Sequence, residues 1–256
     1  MLDEDSLEKA AISAQLAWKT PFPGFTSGHD LRTSTNALLV EFFGNIKNAS
    51  EHEWQNAGRR IIDKTFISMM MHVHSLTAIK SVTPERISAS LDNFLQKEVA
   101  KYWREISLNQ FTNLDLALNW HKQLSITVIG SNPADSFTSY LMFYMLPSFP
   151  VIPISKGSLI SLDIPLDTPI SLIHEVVYKN FDNFKARYAN SEKLCAPPEP
   201  IFGTDREMSM INELLLNTDW WQRNLFHHYL IEWTKQHPNY DHSWFGCNDE
   251  GGISRQ

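Results

Sequence analysis

Apolar residues recur along most of this chain at spacings of three and four, broken by short polar or proline-bearing stretches, and this pattern predicts a mainly α protein. Over residues 2–18 the stripe is Leu7, Ala11, Ile12 and Leu16, with acids at its start to match the helix macrodipole. Pro21-Phe22-Pro23-Gly24 ends that helix, and Ser34 is placed to cap a second one reaching about Ile46. Ser50 and Glu53 form a capping box ahead of a long apolar face carrying Trp54, Ala57, Ile61, Phe66, Met69, Met70 and Val73. Thr83-Pro84-Glu85 then reads as a cap, a proline at the first helical position and a first-turn acid. The helix behind it carries Ile87, Leu91, Phe94, Leu95, Val99, Tyr102 and Trp103, and a shorter one spans 113–124.

The β-branched run Ile126-Thr127-Val128-Ile129 leads into the turn Gly130-Ser131-Asn132-Pro133, and a very apolar helix follows over 135–146. Residues 147–169 read as an extended crossing in which Pro150, Pro153 and Pro165 argue against a central strand. Three more helices are expected: one from Thr168-Pro169 to Tyr188, one behind Thr204-Asp205 to Leu216, and one over 219–236 capped by Asn217 or Thr218. The sum is eight or nine helices in a compact multi-helix fold, few or no short strands, and no βαβ alternation. The proline-rich crossing joins an N-terminal helical lobe, 1–146, to a C-terminal lobe, 147–236, or else runs across a single domain. The polar, glycine-rich stretch 237–256 is expected to be a mobile tail.

Charge narrows the function classes. Lys and Arg total 22 against 29 Asp and Glu, a net charge of −7, which argues against a general nucleic-acid binder and leaves a local basic patch open. The acidic start, an apolar stretch of only six residues at 141–146 and just two cysteines, Cys195 and Cys247, point to a cytoplasmic protein with no membrane association. The phosphate-loop, dinucleotide, nucleophile-elbow and zincin motifs are absent, and no cofactor is expected.

The remaining chemistry is scattered. His72 and His74 lie two apart and diverge on a helix, as do the adjacent His227 and His228. His237, His242 and Cys247 lack a fourth ligand nearby, so no metal is expected. Asp163, Asp167 and His174 are the candidates for acid–base work in a cleft near 147–175. Trp220-Trp221-Gln222-Arg223 could stack on bases, but Trp221, Leu225, Tyr229 and Trp233 at four-residue spacing favour a core role.

The segment from Ile126 through Gly130-Ser-Asn-Pro, the apolar helix and the exit Pro147-Ser-Phe149-Pro150 resembles the central hairpin and following helix of helix–hairpin–helix DNA glycosylases, of the 8-oxoguanine DNA glycosylase-like group in bacteria. Asp219-Trp220-Trp221-Gln222-Arg223-Asn224-Leu225 looks like the closing helix of such proteins, so the likeness covers roughly 120–240. It implies a helix–hairpin–helix core and nucleic-acid contacts through Gly130, Ser131, Asn132 and Arg223. The family's lysine nucleophile and aspartate are not matched. Ala134 or Tyr140 stands in place of the lysine, Pro153 or Ser155 in place of the aspartate, and Lys156 is displaced. Asp135, at the helix start, would repel phosphate. The leading expectation is therefore a binding protein with a glycosylase-like helical fold but not its catalytic pair, associated with nucleic acid in bacterial housekeeping or defence. The alternatives are an immunity or scaffold protein that binds a protein partner and no nucleic acid, and an enzyme with a cleft near 147–175.

Overall fold

A computed structural model describes residues 3–19, 36–37, 39–40, 50, 52, 67, 83–108, 110–129, 135–145, 147, 151–165, 168–192, 196–201 and 204–237. Most of the second predicted helix, nearly all of the helix behind Ser50, the turn 130–133 and the tail beyond His237 lie outside these residues. Among the described residues there are helices and no strands, as the 3.6-residue periodicity predicts. No described helix is long and apolar enough to cross a membrane.

Helix α1 spans Glu4–Lys19. Asp3 caps it, with Oδ1 accepting from the Ser6 amide at 2.7 Å, and Glu4 and Asp5 fill its first turn. Its buried face is Leu7, Ala10, Ala11, Ala14 and Trp18. The sequence stripe had included Ile12 and Leu16, which are 62% and 59% exposed. Three alanines on the inner face let α1 lie close against the last helix, and that approach sets the rotation of α1.

Helix α2 spans Pro84–Phe94, with the Thr83 hydroxyl accepting from the Arg86 amide at 3.3 Å. The chain continues through one π-helical turn, Leu95–Val99, and a 3-10 turn, Ala100–Tyr102, into α3, Trp103–Ser107. Helix α4, Leu114–Ile129, begins behind Asn113, whose Oδ1 accepts from the Leu116 amide at 3.0 Å. Phe111 and Trp120 stack at 5.2 Å, with Phe94 and Tyr102 edge-on to Trp120, so one aromatic cluster joins α2 to α4.

The structure corrects two expectations here. Residues 126–129 were read as a β-branched run outside the helix, but they form the last turn of α4. β-Branched residues are only a few tenths of a kcal/mol worse than good helix formers, and packing of the preceding turns outweighs that. The second correction lies past α5, Asp135–Met145, in the crossing read as extended. It holds a short helix, α6, Lys156–Ser161, started by a reciprocal cap in which the Ser155 and Ser158 hydroxyls each accept from the other's amide.

Helices α7 (Ile170–Arg187), α8 (Asp205–Asn217) and α9 (Trp220–Gln236) follow within a residue or two of the expected bounds. Thr204 and Glu207 form a full capping box on α8. Helix α9 is the centre of the molecule. It packs against α1, α6, α7 and α8, while α4 packs against α2, α5 and α7. It is buried nearly all round, the mark of a helix inside the core rather than on it. Trp18 of α1 meets both Trp220 and Trp221, and its indole nitrogen donates to the Glu199 carbonyl at 2.9 Å. Buried residues on both sides of the crossing belong to one continuous core, in which α1 and α9 face each other.

Candidate functional site in the polar interior around α9

Inside this apolar bundle lies a set of polar side chains placed mainly by α9. Arg223 is completely buried, and three acceptors surround its guanidinium. Its Nε donates to Asp219 one turn earlier at 2.7 Å, Nη1 to the Val151 carbonyl at 2.7 Å and Nη2 to the Pro147 carbonyl at 2.5 Å. The planar fork suits this arrangement, because its donors diverge at fixed angles and each of its three nitrogens has an acceptor. The face of Phe143 lies 5.6 Å from the guanidinium carbon. Arg223 thus fastens the crossing to the start of α9. Beside it the Trp220 ring stacks on Phe143 at 4.5 Å and donates to the Phe143 carbonyl at 3.0 Å.

One turn further along α9, His227 meets Tyr140 of α5 edge-on at 5.1 Å, and the phenol is hydrogen-bonded to Nε2. Burial, with Tyr144 adding to it, pushes the Tyr140 pKa well up, so the phenol stays protonated. His228, next in sequence, has its ring 5.8 Å from that of His227 and shares a 3.1 Å hydrogen bond through Nδ1 with Ser13 of α1. Desolvation lowers its pKa to about 4 despite Glu232 nearby. Ser13, His228 and Glu232 have the residue types of a nucleophile, base and acid. However, Ser13 sits in mid-helix where the backbone amides are already used, so no oxyanion donors are at hand, and Glu232 is paired to Lys235 at 2.7 Å. The arrangement ties α1 to α9 and does not make a catalytic centre.

At the start of α1 two tyrosines converge on Asp3. Tyr188 donates to its carbonyl at 2.9 Å, and the Tyr229 hydroxyl accepts from its amide at 2.9 Å. Burial raises the pKa of both phenols.

The residues singled out from the sequence fall apart in space. Asp163 is exposed and has φ of 56°, the left-handed conformation that most residues avoid and Asp tolerates. It follows α6 in a Schellman arrangement: its amide donates to the Ile160 carbonyl at 3.1 Å, and the Ile164 amide donates to that of Leu159 at 2.9 Å. Leu159 and Ile164, the apolar pair that accompanies this motif, are both buried. A helix stop is therefore what this aspartate provides.

His174 lies on α7, only 1% exposed, with neither ring nitrogen bonded. Its ring meets that of the equally buried His121 of α4, edge-on at 5.3 Å. Burial lowers the His174 pKa to about 3, with His121 adding to the effect. His174 forms no hydrogen bond with Asp163. Asp167, Gly130, Ser131 and Asn132 lie outside the described residues, as do His72, His74, His242 and Cys247. Arg223, expected from the resemblance to contact nucleic acid, has no exposed surface with which to do so. His237 stacks on Trp233 at 4.2 Å, and no group of three or more His, Cys, Asp or Glu positioned to hold a metal occurs among the described residues.

No motif in the sequence marks His121, Ser13 or Tyr178, the last with a buried hydroxyl that bonds to nothing. No spacing rule marks a single polar residue as having a partner on a distant helix. Helices α4 and α5 pack against each other across the segment 130–134. Compared with known proteins, the chain matches no family model, no curated protein and no solved structure.

Proposed function

We propose that this chain is a protein-binding module that works through its surface and carries out no reaction of its own. The observation that carries this reading is where the chemistry sits. Among the described residues, Arg223, Tyr140, Tyr229, His174 and His227 are turned inward to the contacts between helices, while large apolar side chains such as Ile12 and Leu16 remain outside. On α1, Ile12 and Leu16 stand one turn apart, both more than half exposed, on the side opposite the face that meets α9. Aliphatic side chains at i and i+4 on an exposed helix form the simplest apolar anchor for a second protein. The acidic net charge suits a partner with a basic rim.

The double substitution I12D/L16D tests this. It leaves the buried face untouched, so thermal stability should hold within a few degrees. Captured protein partners, or self-association seen by light scattering, should be lost. Unchanged capture and unchanged mass would reject α1 as the binding surface.

A second reading rests on the pairing of α4 with α5 across five residues, a layout in keeping with the helix–hairpin–helix resemblance. It expects duplex DNA to be retarded in a gel at low salt. The burial of Arg223 and the net charge of −7 count against it.

A further inference from the structure

We propose that the His121–His174 contact is an acid-sensitive latch, and that protonating it releases the N-terminal half of α7 from α4. The two rings come from different helices and meet edge-on at 5.3 Å, both buried. His174 has no hydrogen-bond partner at either nitrogen. A neutral ring is tolerated there at the cost of an unmade bond. A protonated ring would carry two donors without acceptors and a full charge in an apolar setting, which is far more costly.

Among the described residues, no carboxylate is hydrogen-bonded to His174. On α4, Asp115 and Lys122 are exposed; on α7, Glu175 and Lys179 are exposed, and Asp182 lies two turns on. Helix α9 presents Asp219 and Arg223, paired with each other, and they act on Tyr178 a turn beyond His174. Among the described residues, the charge that acts on His174 is that of His121, and it has the same sign. His228, the other desolvated histidine, faces Ser13 and Glu232 at the α1–α9 contact.

The segment is built to open at one end. Helix α7 begins behind Pro169 with no side-chain cap and no acid in its first turn. Its other half is held to α9 by four ring contacts: Phe181 and Phe184 on Phe226, and Phe184 and Tyr188 on Tyr229. The C-terminal half is therefore the anchor and residues 170–177 the moving part.

The size of the effect follows from linkage. Closed, His174 titrates at about 3; opened to water it returns to the ordinary value of about 6.5. Lowering the pH from above 7 to 5 then favours the open form roughly 30-fold.

Hydrogen exchange of the full chain at pH 7.5 and pH 5, corrected for intrinsic rates, reads this directly. Protection over 170–177 should fall about 30-fold at pH 5. H174F, which keeps an aromatic ring, and H174Q, which keeps a polar side chain, cannot titrate, and each should remove that dependence. H228F should leave it in place. A wild-type protein with equal protection at both pH values would overturn the proposal, as would an undiminished pH effect in H174F. Should H174F fail to fold, H174Q and the wild-type measurement still decide.

Discussion

Removing the Arg223 side chain should cost more stability than any other single polar substitution among the described residues. Its guanidinium satisfies two buried carbonyls, Val151 and Pro147, and pairs with a partly exposed Asp219. Solvent can take over Asp219, so that bond contributes little. The two carbonyls have no such recourse, and orphaning a buried acceptor costs about 1–3 kcal/mol each. Adding the lost contact with Phe143, R223A should be destabilised by about 4 kcal/mol. R223M separates the causes. It restores most of the volume and none of the donors, so it should lose nearly as much as R223A. R223K should fall between, because one ammonium reaches one carbonyl and not two. Urea denaturation followed by tryptophan fluorescence measures this, and with a slope of about 3 kcal/mol/M the midpoint should drop by somewhat over 1 M. If R223M stays within about 1 kcal/mol of wild type, the carbonyl bonds do not hold the crossing, and the account of this residue is wrong.

Three other outcomes are expected. D163G should stabilise the protein by about 0.5–1 kcal/mol, since glycine takes the left-handed stop of α6 without strain and removes a negative charge from a helix C-terminus; a lower melting temperature would contradict this. G157A should be neutral to about 1 kcal/mol stabilising, because an added methyl would meet Ser155 and Ile231 atoms no closer than 3.6 Å; a clear loss would mean that α6 and α9 approach more closely than described. For pH, the folded values of His174 and His228 lie below the unfolded one, so the unfolded chain binds more protons between about 6.5 and 4. Stability should therefore be greatest above pH 6.5 and fall on acidification. H228Q should flatten that fall by at most about 3 kcal/mol at pH 4, read from denaturation midpoints across the range.

The helices themselves were largely legible in the sequence. Thr83-Pro84, Thr204-Asp205 and the four-residue spacing from Trp221 to Trp233 act locally, so one stretch of chain carries the whole signal. Two misreadings have a shared cause. Ile126–Ile129 looked extended by residue type and Ser155–Ser161 looked extended because prolines surround it, but in both places a neighbouring helix supplies the packing that local preference omits. The site was much less legible. His174 and Asp163 stood out as titratable residues near a proline-rich crossing. One proves to be ring-packed in the interior and the other a helix stop, because what fixes a polar side chain's role is a partner far away in sequence. Arg223 shows this best: its acceptors lie 72 and 76 residues earlier, and nothing around Trp220-Trp221-Gln222-Arg223 announces them.

The pairing of α1 with α9 sets an order of events during synthesis. Ser13 and His228 are 215 residues apart, so at roughly 5–20 residues per second the ribosome makes α9 some ten to forty seconds after α1. Through that interval the face of α1 that meets α9 lacks its α9 partner. The growing chain must stay soluble before that contact forms, and the core closes only when the last of these helices emerges.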